Sequence, residues 1–414
     1  MKEQIIKNKE QLLNESKVFC MFPWLHLNVT PKGDIYPCCS NNYSEPFGNT
    51  KQISLKEAFN SDKMKELRLN MLNGVQSKIC EFCYKHEEAG PHSFRNYSKD
   101  NFAKYYDDIV TTTQADGSVD EFKMRYFDIR FSNICNFKCR TCGAEFSSQW
   151  AAENRIYDKT LPILMHADGQ KGTLLDEVLE HIDHIDLAYF AGGEPLITDE
   201  HYVMLEEMIR RKKTNIVLRY NTNASNMKYK SYDILSLWKH FKKIELSCSI
   251  DHYGDRAEWI RKGTDWAIVE TNLLKLRNLK SVSFQINTVF SIFNYYTLSD
   301  FYSYMIKKNL IRKGDWHNSL YLAIHPSHYS AKSLPKKLKK TAREKSYLFL
   351  LNEAKDYPQL NKLIHDAIIF ADESNTWADN KEIFFKHTLD IDALRDDNFF
   401  KTFPELRPMI MELE

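Results

Sequence analysis

Cys135, Cys139 and Cys142 stand in the run CNFKCRTC, a C-x3-C-x2-C spacing. Three thiolates in one short loop can hold an iron–sulfur cluster while one iron keeps no protein ligand. A structural zinc site would instead want four protein ligands in paired C-x2-C spacings. An iron left open is what a cluster needs if it must bind and reduce an exogenous molecule. A second group of cysteines lies nearer the start of the chain: Cys20, then Cys38 and Cys39 behind Gly33, then Cys80 and Cys83.

The elements around the first loop must present it. Residues 125–132, RYFDIRFS, alternate and are rich in aromatics, so they predict a strand that feeds the loop. Residues 145–158 predict a helix leaving it. Some fifty residues on, IDLAYFAGGEP predicts another apolar strand, ending in Gly192-Gly193-Glu194-Pro195. The three-cysteine loop followed at this distance by GGEP resembles the radical S-adenosylmethionine (SAM) superfamily. The resemblance implies that Cys135, Cys139 and Cys142 hold a [4Fe–4S] cluster. It also implies that Gly192, Gly193 and Glu194 receive the SAM ammonium. Glycine lets the backbone approach closely, and a carboxylate accepts from an ammonium. Asn223 and Ser249 resemble the family's ribose or carboxylate contacts. Arg261, in WIRKG, resembles an arginine that pairs with the SAM carboxylate. Asp251, at the end of the same strand as Ser249, joins the candidate set. Thr141 departs from the family pattern, which has an aromatic residue before the last cysteine.

The earlier cysteines read C-x12-G-x4-C followed by a distant C-x2-C. That pattern resembles the auxiliary-cluster module called SPASM, or its short form, twitch, here placed before the main domain. The resemblance implies a second [4Fe–4S] cluster on Cys20, Cys38, Cys80 and Cys83. A zinc ion on the same four thiols remains open on spacing alone. Cys39 is left over and reads as structural, and Cys248, between Ser247 and Ser249, reads as core.

Strands are expected at 125–132, 185–191, 215–222, 243–250, 281–290 and 319–325. Helices are expected at 145–158, 199–213, 229–240, 266–279 and 295–308. This alternation argues for an α/β fold with a parallel sheet, and the resemblance implies a partial (β/α)6 TIM-like barrel. Three segments are expected: an N-terminal cysteine-rich α+β module over 1–110, with one helix at 54–73, the barrel over 120–330, and a helical C-terminal region over 331–414. In parallel barrels the chemistry sits at the carboxyl ends of the strands. His325 and His328 follow the sixth strand there and are candidate acid–base or substrate groups. Tyr189 and Tyr220 read as buried aromatic core.

A chain of 414 residues with 43% hydrophobic content can bury a large core. Its 57 basic and 56 acidic residues leave a net charge of +1, which argues against a broadly basic nucleic-acid footprint. The start of the chain lacks a signal-peptide apolar region, and no run has the ~18–20 apolar residues of a membrane span. A cytoplasmic protein is expected. The expected activity is reductive cleavage of SAM to a 5′-deoxyadenosyl radical, then hydrogen abstraction from a peptide or peptide-like metabolite or small molecule. The second cluster would carry electrons, and a flavodoxin or ferredoxin would supply them. The alternatives are modification of a nucleotide or nucleic-acid base, which the basic run at 332–345 would favour, and a non-catalytic iron–sulfur scaffold.

Overall fold

The computed structural model describes residues 1, 3–4, 8–88, 90, 92–156, 158–168, 172–315 and 318–412. Residues 2, 5–7, 89 and 91 of the expected N-terminal module, residues 157, 169–171 and 316–317 of the expected barrel, and residues 413–414 of the C-terminal region lie outside them. Packing divides the chain into two compact units. The first comprises Met1–Ile134, Pro162–Arg219 and Ser236–Lys243, and the second comprises Cys135–Leu161, Tyr220–Leu235 and Ile244–Glu414.

In chain order the strands are β1 (His26–Val29), β2 (Asp34–Tyr36), β3 (Gly48–Asn49), β4 (Tyr126–Ile129), β5 (Lys138–Cys139), β6 (Leu187–Phe190) and β7 (Val217–Thr222). They continue with β8 (Lys228–Tyr229), β9 (Tyr232–Asp233), β10 (Lys243–Ser249), β11 (Arg261–Lys262), β12 (Val282–Phe290) and β13 (Ser319–Leu322). All six expected strands form, as β4, β6, β7, β10, β12 and β13. The expected α/β class and parallel pairing are borne out.

In the first unit the strand order is β7–β6–β4–β1–β2–β3. β4 pairs parallel with both β1 and β6, while β2 and β3 are antiparallel additions. The N-terminal module therefore extends the sheet, which strand patterns alone did not indicate. Leu27, Val29, Phe127 and Ile129 form one face of β1 and β4 and are buried. The other face carries His26, Asn28, Tyr126 and Asp128, which are also buried. The helix expected at 54–73 is two helices, Leu55–Phe59 and Asp62–Leu72. Ser61 breaks it: its hydroxyl caps the second helix by accepting from the Met64 N–H at 3.4 Å. Buried Arg68 ties the module together through the Pro23, Phe59 and Gly117 carbonyls.

In the second unit the order is β13–β12–β10–β7, with β10, β12 and β13 parallel. Along β12 alternate residues are buried, and Ser249 at the end of β10 lies opposite Asn287. The helix expected at 229–240 shrinks to Ile234–Trp238, because β8 and β9 form a hairpin over its first residues. The C-terminal region is helical as expected: Lys336–Asn352, Pro358–Asp372 and Trp377–Arg395. Among the described residues, no helix is long and apolar enough to cross a membrane.

Gly33 turns the chain between β1 and β2 with φ +91°, and a Cβ there would come 2.7 Å from the Ala167 carbonyl oxygen. Gly33→Ala should therefore destabilise the protein by ~1–3 kcal/mol, read as a lower midpoint in urea unfolding.

Candidate cluster and cofactor site

The first cysteine loop belongs to the second unit. β5 pairs antiparallel with β11, setting Cys139 opposite Arg261. The loop is closed by its own hydrogen bonds. Cys142 N–H donates to the Cys139 carbonyl at 3.0 Å, and Phe137 N–H donates to the Cys135 Sγ at 3.4 Å. The helix Ser148–Asn154 begins behind it. Ser147 caps that helix and also donates to the Phe137 carbonyl at 2.6 Å, while Trp150 Nε1 donates to the Cys139 carbonyl at 2.6 Å. Cys139 is buried and Cys142 exposed.

Arg261 sits against this loop. One Nη lies 3.7 Å from the Cys139 Sγ, and Nε lies 2.8 Å from an Asp251 oxygen, an ion pair in which the N–H is not aimed at the oxygen. The other Asp251 oxygen accepts from the Val289 N–H at 2.7 Å. Burial pushes the Cys139 thiol up to about 12, against the pull of Arg261. Burial also works against the Arg261 cation, but the Asp251 and cysteine anions overcome it and raise its pKa. Asn223 reaches the loop from the end of β7: its Nδ2 donates to Asn136 Oδ1 at 2.9 Å, and Ser225 donates to Asn223 Oδ1. Asn136 in turn donates to Ser225. Ser249 is half-buried opposite Asn287, whose buried Oδ1 has no partner.

The GGEP turn belongs to the first unit, and it packs on the residue just before Cys135. Glu194 N–H donates to the Ile134 carbonyl at 2.8 Å. A Cβ on Gly193 would come 2.0 Å from that same oxygen, so only glycine fits. Glu194 is 1% exposed, and one carboxylate oxygen accepts from the Leu196 N–H at 3.2 Å.

The second cysteine set also lies in the first unit. Burial raises the Cys38 thiol, and Cys39, Cys80, Cys20 and Cys83 add to the rise by repulsion. Burial likewise pushes Cys20 up to about 11, with Cys83 contributing, and Cys80 rises by burial and the fields of Cys20 and Cys83. Cys20, Cys38 and Cys80 therefore resist ionising by themselves, and Cys83 lies in the same cluster. A cationic metal centre reverses that by stabilising the thiolates, so the donor set fits such a group. Among the described residues, no three His, Cys, Asp or Glu side chains close around a single metal position. Cys39, read from sequence as structural, lies instead in the field of Asp128 and Arg130.

His328 departs from the strand-end position expected for it. β13 stops at Leu322, and His328 lies in a buried turn with its ring 4.8 Å from that of His387. Burial, helped by His387, pulls its pKa to about 4, so it is unprotonated at neutral pH. His325 lies beyond the strand and is exposed. Tyr220 is core as expected, but Tyr189 is only half-buried and lies in the field of Arg130. Part of the basic run is engaged internally: Lys332 pairs with Glu373, Arg343 with Asp372 and Lys345 with Asp300, and Lys339 donates to the Ala371 and Ser374 carbonyls, while Lys336, Lys337 and Lys340 are exposed.

Sequence reasoning missed Arg140, the residue after Cys139. It is fully buried, stacked 3.5 Å from the Trp259 ring, with Nη2 2.5 Å from Asp392 and 3.3 Å from Asp397. Glu153, on the helix behind the loop, receives Lys138 at 2.8 Å and Arg395 at 2.7 Å. The helix Trp377–Arg395 thus clamps the loop at two points. A buried arginine in a metal-binding loop was the available signal, but its partners lie about 250 positions away. Asp392→Ala should cost ~3–5 kcal/mol in urea unfolding, because it strands a buried guanidinium. The double change Arg140→Met with Asp392→Leu should recover part of that loss, since Trp259 Nε1 and the Phe399 N–H still lose their acceptor.

Residues 20–84 match the family model of SPASM, described as an iron–sulfur cluster-binding domain. No curated protein matches the chain. Among solved structures, anSMEcpe with bound AdoMet and a Cp18Cys peptide is similar at 18% identity and a TM-score of 0.38, over 57% of this chain and 60% of that one. SuiB from Streptococcus suis, bound to S-adenosylmethionine, is similar at 14% identity and a TM-score of 0.38, over 71% of this chain and 64% of that one. The chain therefore spans less than two thirds of the length of these structures. Residues 20–84 are an iron–sulfur cluster-binding SPASM domain, as their cysteine spacing implied, in a chain whose later motifs resemble the radical SAM superfamily.

Proposed function

We propose that this protein is a radical SAM enzyme acting on a peptide or peptide-like substrate. The observation that carries the reading is the seating of the GGEP turn on Ile134, which ties the expected SAM-ammonium turn to the residue before Cys135. In this reading Cys135, Cys139 and Cys142 hold the first [4Fe–4S] cluster. Gly192, Gly193, Glu194, Asn223, Ser249, Asp251 and Arg261 hold SAM. Bound there, cluster and SAM together supply a 5′-deoxyadenosyl radical that abstracts hydrogen from a substrate carbon.

The chain's own residues bind and orient. Glu194 accepts from the SAM ammonium, and its burial excludes water from that contact. Arg261, held by Asp251, keeps a cation at the Cys139 sulfur. Asn223 ties the end of β7 to the cysteine loop through Asn136. Cys20, Cys38, Cys80 and Cys83 hold the second cluster, whose full ligation leaves no iron for substrate and suits it to electron transfer. A flavodoxin or ferredoxin would supply electrons. In sequence terms the module spans 1–110, the barrel 120–330 and the helical region 331–414. The nucleotide alternative would rest on the run at 332–345, where Lys332, Arg343 and Lys345 are in internal ion pairs and Lys336, Lys337 and Lys340 are exposed.

Anaerobic reconstitution should load about eight irons per chain, as two [4Fe–4S] clusters require. Alanine at Cys135, Cys139 and Cys142 should abolish 5′-deoxyadenosine formation with SAM and dithionite while the second site keeps its iron. Persistent 5′-deoxyadenosine would sink the assignment, and its absence from the wild-type protein would leave only the scaffold. In a separate measurement, Glu194→Ala should weaken SAM binding by ~30-fold, the ~2 kcal/mol expected for a charged hydrogen bond lost in a buried site.

A further inference from the structure

Beside the GGEP turn, the first unit holds a row of buried polar groups that the proposed reaction does not use. β1 and β4 run parallel with His26 opposite Tyr126 and Asn28 opposite Asp128, so these four side chains share one sheet face. His26, Asn28 and Asp128 are 0% exposed. Each has one side-chain atom without a partner: His26 Nε2, Asn28 Oδ1 and Asp128 Oδ2.

The hydrogen-bond roles of these atoms follow from their neighbours. His26 Nδ1 lies 2.8 Å from the Tyr126 carbonyl oxygen. A carbonyl only accepts, so the ring proton is on Nδ1 and Nε2 carries a lone pair. Burial lowers the His26 pKa against the pull of Asp128, which keeps the ring neutral. Asn28 Nδ2 donates to the Asp128 backbone carbonyl at 3.2 Å, which leaves its Oδ1 as the acceptor. The unpartnered atoms of the row are therefore all acceptors, and the donors beside them are the Tyr126 phenol, the Arg130 guanidinium and the Cys39 thiol, which bonds the Asp128 side chain. Each such atom left unsatisfied in a dry interior costs ~1–3 kcal/mol.

The charge around the row limits what can fill it. Arg130 Nε lies 3.5 Å from the other Asp128 oxygen, so the Asp128 charge is already countered, and an arriving cation would face Arg130. A backbone amide offers one N–H, whereas a primary carboxamide offers two from one nitrogen without charge. The row also leads toward the SAM turn. A Cβ on Gly192 would come 3.2 Å from the Arg130 Cβ, so the Arg130 stem lies on the GGEP turn. Arg130 and Cys39 are partly exposed and Tyr43 is 42% exposed, which marks the open end of the row.

We infer that His26, Asn28 and Asp128 form a substrate subsite for a primary carboxamide, such as an asparagine or glutamine side chain. The inference rests on the radical SAM reading and names the group by which that substrate is gripped.

The test uses the reconstituted protein with SAM and three probes: acetyl-Gly-Asn-Gly-amide blocked at its C-terminal amide by dimethylation, the same peptide with N,N-dimethylasparagine, and the same peptide with lysine. Calorimetry should find the asparagine peptide bound ~10-fold or more tightly than either other, the loss of a buried hydrogen-bonding partner being worth about that factor. Asp128→Asn should shrink this preference. If the three peptides bind wild-type protein alike, if none binds, or if lysine is preferred, the row is a water-filled or structural feature and the subsite is refuted. The wild-type comparison decides this even if Asp128→Asn fails to fold. Formation of 5′-deoxyadenosine by the same preparation tests the underlying reading separately, since peptide discrimination does not depend on it.

Discussion

A guanidinium taken out of water must be met by anions, and in the second unit that requirement organises the rest. Arg140 enters the core one residue after Cys139, where desolvation is expensive. Asp392 and Asp397 answer its charge and Trp259 its flat face. Asp392 also accepts from Trp259 Nε1 at 3.0 Å and from the Phe399 N–H at 2.5 Å. One carboxylate therefore fixes the cysteine loop, the helix carrying Trp259 and the turn into the last helices. Such a network adds little net stability over a well-packed apolar replacement. What it supplies is register: Cys139 can sit opposite Arg261 only if Arg140 points inward.

The two cysteine sites differ in their electrostatics. In the first, Arg261 holds a permanent cation 3.7 Å from the Cys139 sulfur, and Asp251 keeps that cation in place. A positive charge beside a ligand sulfur favours the more reduced, more negative cluster. In the second, the thiols mainly meet one another, with Ser98 3.2 Å from Cys20 and Ser40 3.7 Å from Cys83 as neutral neighbours. Arg95 contributes there only weakly, since Glu87 takes its charge. The ligands we propose are thus set in two different fields, and it is the field that can separate two clusters in potential.

What was legible in the sequence was local. Alternation in RYFDIRFS marked β4, and an apolar run marked β6. The cysteine and glycine spacings were legible because metal ligation and a close backbone approach admit few substitutes. Long-range pairings were not. Nothing in RTC announces that Arg140 will meet Asp392, and nothing in HLNV announces that β1 will pair with β4. Ser61 was legible only in hindsight, since a serine inside a helical pattern is also an ordinary surface residue. The run at 332–345 showed its charges in the sequence but not the partners of Lys332, Arg343 and Lys345, since Glu373, Asp372 and Asp300 come from other elements.

The segment RYFDIRFS shows how far an alternating pattern carries. Its polar residues mark the face of β4 turned from the helices, and alternation normally reads such a face as open to water. Here the Phe22, Phe94 and Phe102 rings pack on Tyr126, and Cys39 and Tyr43 lie by Asp128, so Tyr126 and Asp128 are buried on the polar side as completely as Phe127 is on the apolar side. A sheet face sealed in this way would pack best with apolar side chains. Instead it retains a carboxylate, an amide and an imidazole whose free atoms all accept. Packing does not require that choice and stability argues against it, and recognition of a substrate carboxamide is the reason we infer for a polar interior at the junction of the SPASM domain and β4.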